Sequence, residues 1–396
     1  MIPTSDSLTN EKYIHSGRTR DAVVFNTVKI EGYRGLHSFE MDNLGRVNLL
    51  VGKNNSGKTS VLEALHLLSY GGDITALWQL CGRRGERIGD DRDGRFSGDL
   101  EIDISHLFVG HELSIGSKFS ISASNQKPEV AATFEITERP KQERGEPVPI
   151  SAVEDGILRP RMQLKIVATA PTPSRAITLS PRGGINYEYV DASRRPVVVQ
   201  GRRQEFVPSS HFISTDSLNG AELTRLWDRV QLTPQEALVL SALQFIDPEI
   251  QQIRSMGAAR LTGDRGGFII KRSDYRFPFP LGSLGDGAWR MLAMAIVLTQ
   301  CTNGVLLIDE IDTGLHYTVM ADMWKLIYNA AKQFNVQVFA TTHSYDCVHS
   351  LATICQSEVT ENSQVTIQRI ESSRQRAIPF TEAEIKVAAD RQIEVR

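Results

Sequence analysis

Residues 52–59 combine glycines, a lysine and a threonine in a spacing that can hold a polyphosphate. They follow the pattern G-x-x-x-x-G-K-[ST]. Backbone N–H groups of such a loop, and of the helix start behind it, converge on one anion. Lys58 would reach the β- and γ-phosphates of ATP, and Thr59 would hold Mg²⁺. The predicted nucleotide-binding residues of the loop are Gly52, Asn54, Asn55, Ser56, Gly57, Lys58, Thr59 and Ser60.

Two acids and one histidine follow apolar segments that are typical of buried strands. Asp309 and Glu310 come directly after the run Val305–Ile308, and His343 follows the run Val336–Ala340. A carboxylate beside a phosphate loop can hold Mg²⁺, which is the role we expect for Asp309. Glu310 can act as a general base toward the attacking water, and His343 can hydrogen-bond the γ-phosphate. The predicted Mg²⁺ ligands are Thr59 and Asp309, and the predicted catalytic residues are Lys58, Glu310 and His343.

A second glycine-rich segment, Leu281–Arg290, opens an apolar helix and offers a second anion site. One chain has one phosphate loop, so this second site would serve a nucleotide held by another subunit. The segment Thr313–His316, just after the acids, is expected at the same subunit boundary. The residues expected to reach the partner's nucleotide are Ser283, Gly285, Asp286 and Gly287.

These residues need a sheet and helices to position them. The run Val47–Val51 is a predicted buried strand, and Val61, Leu62, Leu65 and Leu68 mark one face of the helix that follows it. Beyond residue 281, strand patterns at 304–308 and 336–340 alternate with helix patterns at 317–334 and 345–355. This alternation predicts an α/β head with a mostly parallel sheet flanked by helices.

The segment 72–205 has a different pattern, with short β-like runs separated by turn-forming and charged stretches. Such spacing favours antiparallel strands, and we predict an inserted β-rich arm. A capping box predicts a helix start at Thr233-Pro234, and a second box at Thr381 predicts a short helix near the end of the chain. The predicted organisation is a flexible arm at 1–22, the head at 23–71 and 206–372, the insertion at 72–205 and a C-terminal tail at 373–396.

Composition excludes several classes of protein. The net charge of −3 gives no global attraction to nucleic acid or acidic membranes. The four cysteines have no metal-binding spacing, which favours buried thiols in a reducing compartment. No apolar run approaches the ~20 residues of a membrane span. We therefore expect a cytoplasmic protein without membrane association.

The order of these motifs resembles that of the ABC-type ATPase superfamily. The segments Ile30–Leu36, Gly52–Thr59, Ser283–Arg290, Glu310–His316 and Thr342–Ser344 are more specifically similar to the AAA15/OLD-like branch, which is related to RecF, Rad50 and SMC heads. The resemblance implies a head-to-head homodimer with two ATP molecules between phosphate loops and opposing signature loops. It also implies that Arg34 matches an arginine near the nucleotide; a turn arginine is the alternative.

The chain departs from the superfamily pattern in three places. Gly285 stands where the signature serine is usual, and His316 stands where an aspartate usually follows the acidic strand end. Gln79 is the candidate for the glutamine of the Q-loop. These departures concern the rate of ATP turnover more than nucleotide binding, so we expect a slow ATPase.

The predicted role follows from what such heads carry. The insertion lacks coiled-coil heptads, and the segment after the last predicted head strand is too short for a nuclease domain. We expect a sensor or scaffold ATPase of a bacterial anti-phage defence complex, with a separately encoded nuclease-type effector. The main alternative is a RecF-like DNA-repair ATPase, for which arginine clusters at 83–95 and 194–203 are candidate DNA contacts. A transporter subunit and a nucleotide-binding scaffold with little hydrolysis are further alternatives.

Overall fold

The structure is a computed structural model, and its described residues cover most of the chain. They are residues 25–88, 101–124, 130–140, 161–169, 174–187, 189, 198–199, 202–203, 210–215, 219–256, 267–357 and 364–395. The predicted N-terminal arm, 1–22, lies outside these residues.

The described strands and helices have the following bounds. The strands are β1 Thr27–Tyr33, β2 Leu36–Met41, β3 Val47–Val51, β4 Arg87–Ile88, β5 Glu101–Asp103, β6 Lys118–Ser124, β7 Val130–Glu138, β8 Met162–Ala168, β9 Arg175–Thr178, β10 Gly184–Asn186, β11 Val198–Val199, β12 Arg202–Arg203, β13 Ser210–Ile213, β14 Ile250–Ser255, β15 Phe268–Arg272, β16 Phe279–Pro280, β17 Val305–Ile308, β18 Gln337–Thr341, β19 Val365–Arg369 and β20 Ile378–Phe380. The helices are α1 Lys58–Ser69, α2 Ile74–Arg83, α3 Gly220–Trp227, α4 Glu236–Gln244, α5 Asp286–Gln300, α6 Tyr317–Phe334, α7 Tyr345–Ser357 and α8 Glu382–Asp390.

A six-stranded sheet positions the predicted site residues, and its strand order is β13-β17-β18-β3-β19-β20. Its neighbours pair in parallel except for the antiparallel edge strand β20. Every residue of β3, β17 and β18 is buried, as expected for strands covered on both faces. Because parallel strands end at the same edge, the phosphate loop after β3, the acids after β17 and the histidine after β18 meet there.

A second six-stranded sheet, β2-β1-β6-β7-β8-β9, is antiparallel throughout. Its strands β6–β9 come from the segment 72–205, which the sequence predicts to be an inserted arm of antiparallel strands. They hydrogen-bond to β1 directly, with Lys29 opposite Ser122, and so extend the β1–β2 hairpin into a larger sheet. The antiparallel pairing is therefore as predicted, and these strands form one sheet with β1 and β2. The same segment also contains helix α2, which the strand pattern did not predict.

Helix α1 lies between the two sheets. It contacts β1, β6 and β7 on one side and β13, β17 and β18 on the other. Residues of α1 that face both sheets are buried, including Leu62 and Leu67. The helix that begins at the phosphate loop is thus common to both layers of the molecule.

The C-terminal segment is integrated into the head, contrary to the predicted tail at 373–396. Strand β20 pairs with β19, and α8 packs on α7. The predicted capping box at the start of α8 is confirmed, because the Thr381 N–H donates to the Glu384 carboxylate at 2.8 Å.

The predicted capping box at Thr233 does not form. Helix α4 begins later, at Glu236, and the carboxylate of Glu236 accepts instead from the Leu232 N–H at 2.7 Å. The Thr233 hydroxyl donates to the Val230 carbonyl, which leaves it unable to cap a helix start. Among all the described helices, none has the length and apolar character that a membrane crossing requires.

Candidate nucleotide site

The loop after β3 adopts a conformation that depends on glycine. Gly52 has φ 145°, and a Cβ there would lie 2.3 Å from the Ile370 carbonyl oxygen. Gly57 has φ 99° and Asn55 has φ 60°, both in the left-handed region. Such a succession of turns exposes backbone N–H groups on the concave side of the loop.

Several donors of this loop are available to an anion. Helix α1 begins after Gly57 without a side-chain cap, so its first N–H groups are open to a ligand. The Ser56 hydroxyl is buried and has no hydrogen-bond partner among the described residues. The Lys58 ammonium donates hydrogen bonds to the Gly52 carbonyl at 2.8 Å and to the Lys53 carbonyl at 2.9 Å. Burial lowers the pKa of Lys58. An uncapped helix start, an unpaired hydroxyl and a buried cation fit a polyphosphate such as that of ATP.

The predicted Mg²⁺ ligands meet at the floor of the site. The Thr59 hydroxyl lies 3.1 and 3.2 Å from the two carboxylate oxygens of Asp309. A hydroxyl and a carboxylate beside a phosphate site are the oxygen ligands that Mg²⁺ takes in such proteins. The donor set therefore fits Mg²⁺, which when bound would neutralise charge on the phosphate oxygens.

Thr341, at the end of β18, joins the two acids. Its hydroxyl donates to Asp309 Oδ1 at 2.6 Å and accepts from the Glu310 N–H at 2.8 Å. Thr341 is buried. Sequence reasoning named the segment around His343 but gave no role to this threonine. Its register beside β17, with Ile308 opposite Ala340, is what brings the hydroxyl to both acids.

Glu310 and His343 face each other across the open side of the site. Glu310 Oε1 lies 3.9 Å from His343 Nε2, and the two side chains are 40% and 41% exposed. The Glu310 backbone has φ 47°, a strained conformation for a residue with a side chain. The carboxylate and the imidazole therefore point into solvent where a phosphate and a water could lie.

A cleft of about 600 Å³ collects these groups. Of the predicted residues, Glu310, His343 and the loop residues 54–60 line it. Arg84, Asp312 and Thr313 also line it, and the sequence patterns did not predict them as nucleotide contacts.

Arg34 does not line the cleft. Its side chain is buried and lies between two acids, at 2.8 Å from Glu63 and 2.6 Å from Glu86. The structure therefore places Arg34 away from the cleft, contrary to the predicted nucleotide contact. Arg84 takes the place at the cleft wall, held by a 2.7 Å ion pair from its Nε to the other oxygen of Glu63.

Two further expectations about side chains are corrected. Gln79 lies exposed on α2 and is absent from the cleft lining, so it has no contact of the Q-loop kind. Arg83, counted as a candidate DNA contact, packs its guanidinium 4.8 Å from the Phe212 ring centre. Arg83 and Arg84 are both exposed, and each has a partner within the chain, Phe212 for Arg83 and Glu63 for Arg84. Most of the other clustered arginines lie outside the described residues.

The signature loop lies on the surface beside the cleft. Ser283, Gly285 and Asp286 are exposed, and none of them lines the cleft of the same chain. Gly285 has φ 86°, which turns the backbone just before α5. A Cβ on Gly287 would lie 2.7 Å from the Gly314 carbonyl oxygen, so the signature helix packs directly on the loop after the acids.

Two families of known domains match the chain in the regions that build this site. Residues 25–145 match the AAA ATPase domain family AAA_15. Residues 199–346 match the family described as AAA domain, putative AbiEii toxin, Type IV TA system. The chain is 23% identical to an ATP/GTP phosphatase from Helicobacter pylori over 347 residues, which span 83% of this chain and 87% of that protein. It is also 57% identical to the DNA replication and repair protein RecF from Marinomonas sp. over 42 residues, or 11% of each chain.

This chain is an ABC-type P-loop ATPase related to RecF. Solved structures similar to this ATPase include the SMC head domain from Thermotoga maritima, at 10% identity and a TM-score of 0.40, covering 90% of this chain and 98% of the other. A second is the Smc head with an extended coiled coil bound to the C-terminal domain of ScpA, from Pyrococcus furiosus. It has 10% identity, a TM-score of 0.45 and coverage of 93% and 99%.

Proposed function

We propose that this chain is a slow ATP-hydrolysing switch that dimerises around ATP. The observation that supports the proposal is the separation of two anion sites within one chain. The phosphate loop lines the cleft, whereas the exposed signature loop at Ser283–Gly287 does not reach it. A second copy would bring its signature loop over the open side of the cleft.

In this proposal each cleft residue has one task. The loop N–H groups and Lys58 bind the phosphates, and Arg84 adds a cation at the wall. Thr59 and Asp309 hold Mg²⁺. Glu310 takes a proton from the attacking water, and His343 hydrogen-bonds the γ-phosphate beside it. Loss of that phosphate removes the bridge between the two copies, which then separate.

Light scattering on the full chain, with and without ATP and Mg²⁺, tests the switch. Lys58→Ala should abolish both nucleotide binding and ATP-dependent dimers, and Glu310→Gln should bind ATP and accumulate dimers. Lys325→Ala, a surface lysine of α6 paired with Asp322, is the matched control and should behave as wild type. Dimers that survive Lys58→Ala would show that nucleotide does not govern association.

The more specific role that we propose is a sensor or scaffold ATPase in anti-phage defence, acting with a separate nuclease-type effector. The toxin–antitoxin description of one matching family supports this assignment. The purified chain should hydrolyse ATP and leave DNA intact. Metal-dependent DNA cleavage by the isolated chain that persists in Lys58→Ala would contradict the proposal.

A second candidate is a RecF-like DNA-repair ATPase, which the local RecF match favours. This candidate predicts DNA binding that requires ATP and weakens steeply with salt, because phosphate contacts release counterions. Filter binding at several salt concentrations, with wild type and Lys58→Ala in parallel, separates it from the defence role. Equal binding by both proteins would argue against a nucleotide-gated clamp.

A further inference from the structure

Arg290 is a buried cation in an apolar helix. It lies on α5 within the run Ala288–Leu298, which contains no other charged residue. Its side chain is 2% exposed. Removing a guanidinium from water is costly unless its N–H groups are hydrogen-bonded, and the burial lowers the Arg290 pKa to about 10. Packing alone does not account for a buried guanidinium at this position.

The hydrogen bonds of Arg290 go to backbone carbonyls at the catalytic edge of the parallel sheet. One terminal nitrogen donates to the Ser214 carbonyl at 2.6 Å, just past the end of β13. The other donates to the carbonyls of Asp309 at 2.5 Å and Glu310 at 3.0 Å. The guanidinium thus fastens the chain segments that leave two neighbouring strands.

The Glu310 peptide is held from both sides. Arg290 binds its carbonyl, and the Thr341 hydroxyl accepts from its N–H at 2.8 Å. The left-handed φ of 47° at this residue is unfavourable for an L-residue in the absence of compensating contacts. The two hydrogen bonds supply such contacts, and the backbone conformation they hold sets the direction of the carboxylate in the cleft.

The same helix carries the signature loop at its start. Gly287 lies one helical turn before Arg290 and packs against the Gly314 carbonyl. A helical turn is stiff, so a displacement of the loop moves the guanidinium with it. Helix α5 therefore touches the catalytic turns of its own chain both at Gly287 and at Arg290.

We propose that Arg290 is a positioning residue that couples the signature loop to the general base of its own chain. The coupling rests on the proposed function, in which the signature loop meets the nucleotide of the partner copy. Contact with that nucleotide fixes the start of α5, and Arg290 transmits the fixed position to the Glu310 backbone. Engagement of the signature loop thus fixes the direction of the catalytic base in the same copy.

The test is a double-variant cycle with Arg290→Lys and Glu310→Gln, followed by single-turnover ATP hydrolysis. Lysine keeps the charge but loses the two-nitrogen fork that reaches both strand ends. Arg290→Lys should bind a fluorescent ATP analogue within about threefold of wild type and lower the hydrolysis rate about 100-fold, the scale expected for a small misplacement of a catalytic group. In the Glu310→Gln background it should add no further loss, because the residue acts through Glu310.

Controls separate this inference from general damage and from failure of the dimer. Thr299→Val alters another buried residue of α5, whose hydroxyl bonds within the helix to Ile296, and should keep the wild-type rate. If the Arg290→Lys protein does not fold, the test uses Arg290→Gln, which removes the buried charge. Hydrolysis within about threefold of wild type in the folded variant, or losses that multiply in the double variant, would overturn the role of Arg290. Absence of ATP-dependent dimers in wild type would instead overturn the proposed function.

Discussion

Replacing Thr341 by valine should disable catalysis while leaving the phosphate loop intact. The substitution keeps the side-chain shape and removes only the hydroxyl that bonds to Asp309 at 2.6 Å and to the Glu310 N–H at 2.8 Å. A hydrogen bond to a charged group contributes about 1.5–3 kcal/mol, and an unsatisfied buried N–H costs about 1–3 kcal/mol. Since such terms do not add fully, we expect a loss of about 3 kcal/mol in the free energy of unfolding.

The effect on the hydrolysis rate should be large because both acids depend on this hydroxyl. If about half of the lost free energy is realised in the transition state, kcat falls about tenfold, and if all of it is, about 100-fold. ATP turnover by a coupled assay and unfolding by urea measure the two effects on one sample. Thr341→Ser keeps the hydroxyl and should retain most of the activity.

Thr366→Val is the matched control for this prediction. Thr366 is also a buried strand threonine, and its hydroxyl bonds to the Asn48 side chain at 2.9 Å, away from the acids. It should cost about 1 kcal/mol in the free energy of unfolding, the range of one neutral hydrogen bond, without a change in kcat. Equal losses of kcat in both valine variants would refute a specific role for Thr341 and indicate general destabilisation.

Three further predictions follow from other contacts. Arg84→Ala should weaken ATP binding about tenfold in calorimetry, the range of one charge-assisted contact, whereas the exposed Arg87→Ala should leave it unchanged. Burial lowers the pKa of His66 to about 3, so the free energy of unfolding decreases as the pH falls from 6.5 towards 3. At about pH 5 the decrease is about 2 kcal/mol. Unfolding of His66→Gln should lack this pH-dependent decrease. Gly287→Ala would place a Cβ 2.7 Å from the rigid Gly314 carbonyl and should cost about 1–3 kcal/mol in stability, with loss of ATP-dependent dimers in light scattering.

Sequence patterns predicted the nucleotide edge because each part of it is local. The strand Val47–Val51 and the helix 317–334 have the predicted bounds. A mostly apolar run predicts a buried strand and an amphipathic pattern predicts a helix without reference to distant segments. The phosphate loop follows its strand directly. The carboxyl ends of β17 and β18 then adjoin it through parallel pairing, which the strand–helix alternation indicates.

Contacts between distant segments could not be predicted in the same way. A period-two pattern shows which faces of β6–β9 are buried, but not that β6 pairs with β1. The position of Arg34 depends on Glu86, which follows a helix that the strand patterns of its segment concealed. The role of Thr341 depends on a register between two strands, and a shift by one residue would turn its side chain to the opposite face.

The position of α1 between two sheets has a consequence for hydrogen exchange. A ligand bound at the start of this helix stabilises the folded chain by mass action, by about 2.7 kcal/mol at a concentration 100 times its dissociation constant. Because α1 packs on β6 and β7 as well as on the parallel strands, we expect those antiparallel strands to open together with it. Saturation with ATP would therefore slow amide exchange in strands that touch no nucleotide, which makes the far side of the molecule a reporter of cleft occupancy.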